Sequence, residues 1–327
     1  MHRIGIQTSN IVKDNDPLEG FGRIAEAGFD CCDFSLDSYL RYEEFAPDYG
    51  PRFFDKSIDE LQEFFNPHKM AAKAYGIKIN QMHMPYPLYA SNVSDEANDY
   101  LRYQMMQKSM ELCKFFECPN IVIHQFNLPP SPDASCNMEE EGREWNANAK
   151  YINAIAPFAA AHGITICLEN LYRRSTPYMV EGPCCDPVKL AARIDYFNNK
   201  YSAPVLGACF DTGHANLVNM DMESYLRILG HRVKVLHIHD NDRISDLHQI
   251  PYTFTNTRDK ICSITWDKFL ETLDAIGFEG VLSFETAPVL NAFPEALGDD
   301  ALILIASIGR YFAKELNGLK INNKLAR

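Results

Sequence analysis

The chain's 327 residues are 46% hydrophobic, enough to bury a large core, and its 44 acidic against 31 basic residues leave a net charge of −13. A surplus of that sign repels a phosphate backbone, so nucleic acid is disfavoured as a partner and small polar ligands are favoured. No charged segment leads into an apolar stretch at Met1-His2-Arg3-Ile4-Gly5, and no run reaches the roughly 18 apolar residues of a membrane span, so the chain reads as soluble and cytoplasmic with no membrane partner.

In chain order, strand-like runs stand at Arg3 to Gln7, Cys31 to Leu36, Ile77 to His83, Asn120 to Gln125, Thr165 to Glu169, Val205 to Asp211, Val233 to His239 and Gly280 to Glu285. Between them lie stretches whose apolar residues recur every three or four positions, as in Leu61 to Tyr75, Asp95 to Phe116, Glu144 to His162 and Trp266 to Ile276. Such spacing predicts amphipathic helices, and the alternation predicts parallel strands joined by helical crossovers. Several helices stop at a glycine that leads straight into the next strand, at Gly28, Gly76, Gly163 and Gly277, where a left-handed cap is expected. Eight such units predict a single (β/α)8 TIM barrel over residues 1–327. A doubly wound open sheet competes, but Gln7-Thr8-Ser9-Asn10 follows the first run in place of a Gly-rich phosphate loop.

Ten cysteines scatter through apolar segments, with Cys113, Cys167 and Cys209 as examples, and read as small buried hydrophobes. The vicinal pairs Cys31-Cys32 and Cys184-Cys185 lack the spacing of a zinc knuckle or redox motif. Long loops are expected after the strands, at Asp37 to Ser57, Met84 to Ser94, Phe126 to Glu141, Leu171 to Pro187 and Asn241 to Thr265. They are rich in Pro, Tyr and Asn, suiting the walls of a polar pocket. Tyr86, Tyr89, Trp145, Tyr172 and Tyr252 are candidates to stack on a bound ligand, and Arg173, Arg174, Arg243 and Arg258 are candidates to bind a phosphate on it, though packing and solvated surface are the commoner fates of these residue types.

Polar groups gather where the late runs end: Glu169-Asn170, Asp211-Thr212-Gly213-His214, His237-Ile238-His239-Asp240 with Asp246-Leu247-His248 beyond it, and Glu285. The earlier runs add His83 and His124. A barrel delivers the carboxyl ends of its strands to one rim. Glu169, Asp211, Glu285 and one of His237 or His239 would there form a site of three carboxylates and one imidazole, suited to Mn²⁺, Mg²⁺ or Co²⁺, with Zn²⁺ a weaker match. A single carboxylate at a strand end is more often a helix cap or a loop ion pair; four strand ends in consecutive units, three with a carboxylate and one with an imidazole, point to a metal.

These segments resemble the xylose isomerase-like TIM barrels, the sugar phosphate isomerase/epimerase superfamily that includes ketose 3-epimerases, hydroxypyruvate isomerase, inosose dehydratase and endonuclease IV. The resemblance spans nearly the whole chain and rests on Leu-Glu-Asn at 168–170, Asp-Thr-Gly-His-Ala at 211–215, His-Ile-His-Asp-Asn-Asp with Asp-Leu-His at 237–248, and Phe-Glu-Thr at 284–286. It implies one divalent cation, Mn²⁺ first, held by Glu169, Asp211, His237 and Glu285. It implies further that Glu169 and Glu285 are the catalytic acid/base pair of a sugar isomerase or epimerase, and that His83, His124, His214, Asp246 and His248 bind substrate. His239 is the alternative to His237. Endonuclease IV supplies a competing expectation, because its three-zinc site matches His83, His124, Glu169, Asp211, His214, His237, Asp246, His248 and Glu285. Acidic charge and rim loops without basic clusters argue against it. A non-catalytic sugar-binding homologue is a third option. After His248 the chain departs from the usual Gly-x-Gly turn, carrying Gln249-Ile250-Pro251-Tyr252, which leaves the substrate open. A homo-oligomer is left open as well.

Overall fold

In a computed structural model of the chain, the structure describes residues 2–40, 44, 51–91, 93–129, 137–175, 178–255 and 264–325. Arg258 and parts of all five expected rim loops lie outside the described residues. Eight parallel strands form the barrel: β1 (Ile4–Gln7), β2 (Cys31–Ser35), β3 (Lys78–His83), β4 (Asn120–Ile123), β5 (Thr165–Glu169), β8 (Leu206–Asp211), β9 (Val233–His237) and β10 (Leu282–Phe284). Their order is β10-β1-β2-β3-β4-β5-β8-β9. The ring closes between the ends of that list, where the Ile238 N–H donates to Ser283 O at 2.9 Å and the Glu285 N–H donates to Ile238 O at 3.2 Å. The (β/α)8 barrel and all eight expected strands are therefore present.

Helices enclose the barrel: α1 (Pro17–Ala27), α2 (Ile58–Ala74), α3 (Asp95–Asp99), α4 (Met106–Phe115), α5 (Asn137–His162), α6 (Pro187–Tyr201), α7 (Thr212–Leu217), α8 (Met222–Leu229), α9 (Trp266–Ala275), α10 (Ala287–Ala292) and α11 (Gly298–Leu325). A π-helical turn at Tyr100–Met105 joins α3 to α4. The starts follow local chemistry, since Asp16 caps α1 ahead of Pro17, Asp186 caps α6 ahead of Pro187, and Ser57 with Glu60 forms a capping box on α2. Gly28, Gly76, Gly163 and Gly277 take φ of 99°, 69°, 65° and 68°, the left-handed turn expected between helix and strand. Among the described residues no helix is long and apolar enough to cross a membrane.

One difference falls in the loop after β5. Tyr172–Ser175 and Tyr178–Glu181 pair as an antiparallel hairpin, β6 and β7, outside the barrel. Most of its side chains are exposed, so no apolar alternation marks it in the sequence.

The barrel interior sets the height of the site. Val122, Cys167, Cys209 and Val235 form a small buried cluster of their own on β4, β5, β8 and β9. Side chains two apart on a strand share a face. The next inward positions are therefore His124, Glu169, Asp211 and His237, a polar layer directly above an apolar one.

Candidate metal and sugar site

Glu169 is the hub of this layer. Its Oε2 lies 2.9 Å from His124 Nε2 and 3.5 Å from His83 Nε2, while its Oε1 lies 3.2 Å from both His214 Nδ1 and His237 Nδ1. The side chain is 1% exposed. Burial alone would favour the neutral acid, but His237, His124 and His214 hold the carboxyl well below the usual range, so Glu169 is ionised.

Asp211 has two tasks. Its Oδ1 accepts the His214 N–H at 2.6 Å and caps α7, while its Oδ2 faces His239 Nε2 at 3.0 Å and His237 Nδ1 at 3.8 Å. The cap places His214 three residues on, where its ring folds back over the rim. Asn170 fixes the same corner, its Nδ2 donating to Asp211 O and its Oδ1 accepting the Asp211 N–H. From the end of β10, next to β9 in the ring, Glu285 brings Oε2 to 3.4 Å from His237 Nδ1 and 3.7 Å from His248 Nδ1, with Oε1 accepting from Gln7 Nε2 at 3.2 Å.

Beyond these four groups stands a second cluster. Asp246 Oδ2 lies 3.2 Å from His214 Nε2 and 3.3 Å from His248 Nε2, and the His239 ring stacks on His248 with centroids 4.1 Å apart. Burial works against a charged His248, yet Asp246 and Glu285 push it up to about 9; His214 and His248 in turn overcome burial to lower Asp246. Across the mouth, His83 Nδ1 sits 3.1 Å from Asp37 Oδ1 and 2.9 Å from Met84 O. Tyr86 lies over His124 at 4.7 Å between centroids.

The strand-end carboxylates and histidines expected at the rim thus reach one connected site, with Tyr86 beside it, whereas of the loop candidates Trp145 and Arg173 line a separate cavity, Arg243 lines another, and Tyr252 packs on Trp266 and Phe312. Both histidines of the 237/239 pair touch Asp211, since alternation turns them to the same side at different heights. Sequence reasoning gave no role to Gln7, Asp33 or Asp37, and quoted Asn170 as part of a motif without a role. Asp37 and Gln7 were legible as strand-end polar residues; Asp33, inside a strand, carried no such signal.

The donor chemistry fits a divalent cation. Groups such as His83/His237/Glu285, His83/His124/Glu169, Asp211/His214/His239 and His239/Asp246/His248 each place their ligand atoms within 4.8 Å of one another. Among the described residues these buried carboxylates have imidazoles, and no Lys or Arg, as their ion-pair partners. Glu169, Asp211, His237 and Glu285 would hold an ion in the middle, around His237 Nδ1. The mouth above is a cavity of about 210 Å³ lined by groups that include Gln7, Asn10, Asp37, Tyr86, His124 and Glu285.

Residues 21–302 match the family described as xylose isomerase-like TIM barrel, and the chain belongs to it. Among solved structures, a D-tagatose 3-epimerase-like protein is 20% identical with a TM-score of 0.64, over 99% of this chain and 100% of that one. An L-ribulose 3-epimerase is 18% identical with a TM-score of 0.63, over 100% of this chain and 98% of that one. The 3-keto-D-glucoside 4-epimerase of E. coli is 16% identical with a TM-score of 0.63, over 94% and 100%. At these identities the likeness is one of fold. An uncharacterized protein of Sinorhizobium fredii is 23% identical over 183 residues, 56% of this chain, which spans about half (52%) of that relative's length.

Proposed function

We propose that the protein is a divalent-metal-dependent isomerase or epimerase of a small sugar or sugar derivative. The observation that carries this is the meeting of Glu169, Asp211 and Glu285, from three different strands, around one nitrogen of His237 at 3.2, 3.8 and 3.4 Å. A bound cation, Mn²⁺ first, with Mg²⁺, Co²⁺ or Zn²⁺ as alternatives, would polarise the sugar carbonyl and its neighbouring hydroxyl.

The chain's own groups do the rest. Glu169, held ionised by its imidazoles, takes the proton from the carbon beside the carbonyl. Glu285 reaches the sugar from the end of β10, three strands round the barrel from Glu169 on β5, and returns a proton, with Gln7 fixing its other oxygen. Proton return to the opposite face gives the epimer; return to the neighbouring carbon gives the isomer. His83, His124, His214, Asp246 and His248 line the mouth and bind sugar hydroxyls, and Tyr86 offers a ring face beside them. Epimerases of related sugars share this fold, which supports the substrate class.

A second reading, a multi-zinc phosphodiesterase of the endonuclease IV kind, draws on the additional donor sets at His83/His124/Glu169 and His239/Asp246/His248. Against it, no Lys or Arg is among the described residues lining the mouth, and the net charge is −13. Elemental analysis of the purified protein separates them. About one ion per chain supports the isomerase reading, and about three zinc ions per chain together with cleavage of abasic DNA defeats it.

A further inference from the structure

Deep in the barrel, below the expected ligands, Asp33 of β2 faces His237 from behind. His237 turns Nδ1 toward the three carboxylates above, in hydrogen-bond contact with Glu169 Oε1 at 3.2 Å, and sets Nε2 3.2 Å from Asp33 Oδ2, an ion-pair distance without the alignment of a hydrogen bond. The same Oδ2 accepts from Gln81 Nε2 at 2.9 Å, and Gln81 stands opposite Asp33 in the β2–β3 register. Asp33 is 1% exposed and His237 fully buried, so water does not compete for the contact.

Two features set Asp33 apart from an ordinary polar core residue. Its other oxygen, Oδ1, is buried with no hydrogen-bond partner. A buried carboxylate left half-satisfied costs stability, so its retention is not accounted for by packing. Second, among the described residues its ion-pair partner is His237, a residue of the proposed metal site, and no Lys or Arg neutralises it.

We propose that Asp33 is a positioning residue: with a cation on the Nδ1 lone pair between Glu169, Asp211 and Glu285, the His237 proton would stand on Nε2, and Asp33 Oδ2, 3.2 Å away, would accept it and fix the ring. This rests on the metal reading above. A carboxylate behind a ligand imidazole fixes its tautomer and raises its basicity, and losing such a partner weakens metal affinity by about 10–100-fold. Gln81 keeps Asp33 itself from turning.

The test is calorimetric titration of Mn²⁺ into metal-stripped wild type and Asp33→Asn, alongside thermal unfolding of both metal-free proteins. Asn preserves the shape and removes the charge. The expected result is an Mn²⁺ dissociation constant about 10–100-fold weaker in Asp33→Asn, whichever way the metal-free Tm moves. A purely structural Asp33 would give a lowered metal-free Tm with affinity kept, and that result overturns the proposal. Should the variant not fold, the anomalous signal of Mn²⁺ in wild-type crystals decides instead: an ion on His237 Nδ1 supports the assignment, and an ion on Nε2 overturns it. Failure of the wild type to bind Mn²⁺ overturns the metal reading and this assignment with it, whereas tight binding with an indifferent Asp33→Asn overturns this assignment alone.

Discussion

Replacing Gly213 by alanine probes how tightly the site is built. Gly213 lies in α7 with a helical backbone, so alanine would by itself stabilise the helix by about 1 kcal/mol. A methyl group there would instead fall 1.9 Å from His239 Cε1, 2.4 Å from Nδ1 and 2.6 Å from Nε2. Ordinary contact begins near 3.4 Å, so the ring must withdraw by about 1.5 Å (3.4 − 1.9). His239 is fully buried, and withdrawal parts Nε2 from Asp211 Oδ2 at 3.0 Å and disturbs the stack on His248. Overpacking costs about 1–3 kcal/mol, and loss of a hydrogen bond to a charged group about 1.5–3 kcal/mol. After the helix gain of about 1 kcal/mol, the net loss is about 1.5–5 kcal/mol. At the middle of that range, about 3 kcal/mol, an unfolding entropy of about 2.1 cal/mol/K per residue over 327 residues makes Tm fall by roughly 5 °C. Differential scanning calorimetry of the metal-free protein reads it, with Gly142→Ala in α5 as the control, because a methyl group there meets nothing within 4 Å and should leave Tm level or raised. A Gly213→Ala protein as stable as wild type would refute the packing argument at His239.

Glu169→Gln should keep the fold and reduce sugar proton exchange by about 10²–10⁴-fold, read as deuterium incorporation by NMR; wild-type rates would remove Glu169 from the chemistry. Protonated imidazoles stabilise the metal-free fold where their folded pKa exceeds the unfolded value of about 6.5. With His248 pushed up to about 9 and His83, His214 and His237 raised, that stabilisation is complete below the unfolded value and is lost as pH climbs through about 9. Melting curves of chelator-treated protein should therefore show Tm falling across that window, and a Tm rising with pH would contradict the charge arrangement. The eight described cysteines are all buried and free, with burial raising the thiols of Cys32, Cys113, Cys167, Cys184 and Cys209 well above their ordinary value. Iodoacetamide should leave them unlabelled in the native protein, as peptide mass spectrometry can check; fast labelling of Cys167 or Cys209 would show that the layer under the site is open to solvent.

The barrel was legible because each strand is a short apolar run and four helices end at a glycine that only a left-handed turn explains. The β6–β7 hairpin was not, because Tyr172–Ser175 and Tyr178–Glu181 alternate no apolar side chains and bury little. Within the site, strand-end position exposed Glu169, Asp211, His237 and Glu285 as a set. Period-two alternation placed His237 and His239 on one face and left the choice between them open; the closed barrel shows His237 Nδ1 amid three carboxylates and His239 seated on Gly213. Asp33 stayed hidden because Cys31–Ser35 reads as an ordinary buried strand, and its partner His237 lies some 200 residues away, opposite it only once the sheet has closed.

The central claim is that two glutamates flanking one cation move a proton beside a sugar carbonyl. It is tested most directly by incubating the Mn²⁺-loaded protein in D₂O with ketoses, aldoses and 3-keto sugars and following the carbon-bound hydrogens by NMR. The account predicts that at least one sugar gains deuterium next to its carbonyl, in wild type and not in Glu169→Gln. Mn²⁺ bound at the site with no exchange in any sugar would contradict it.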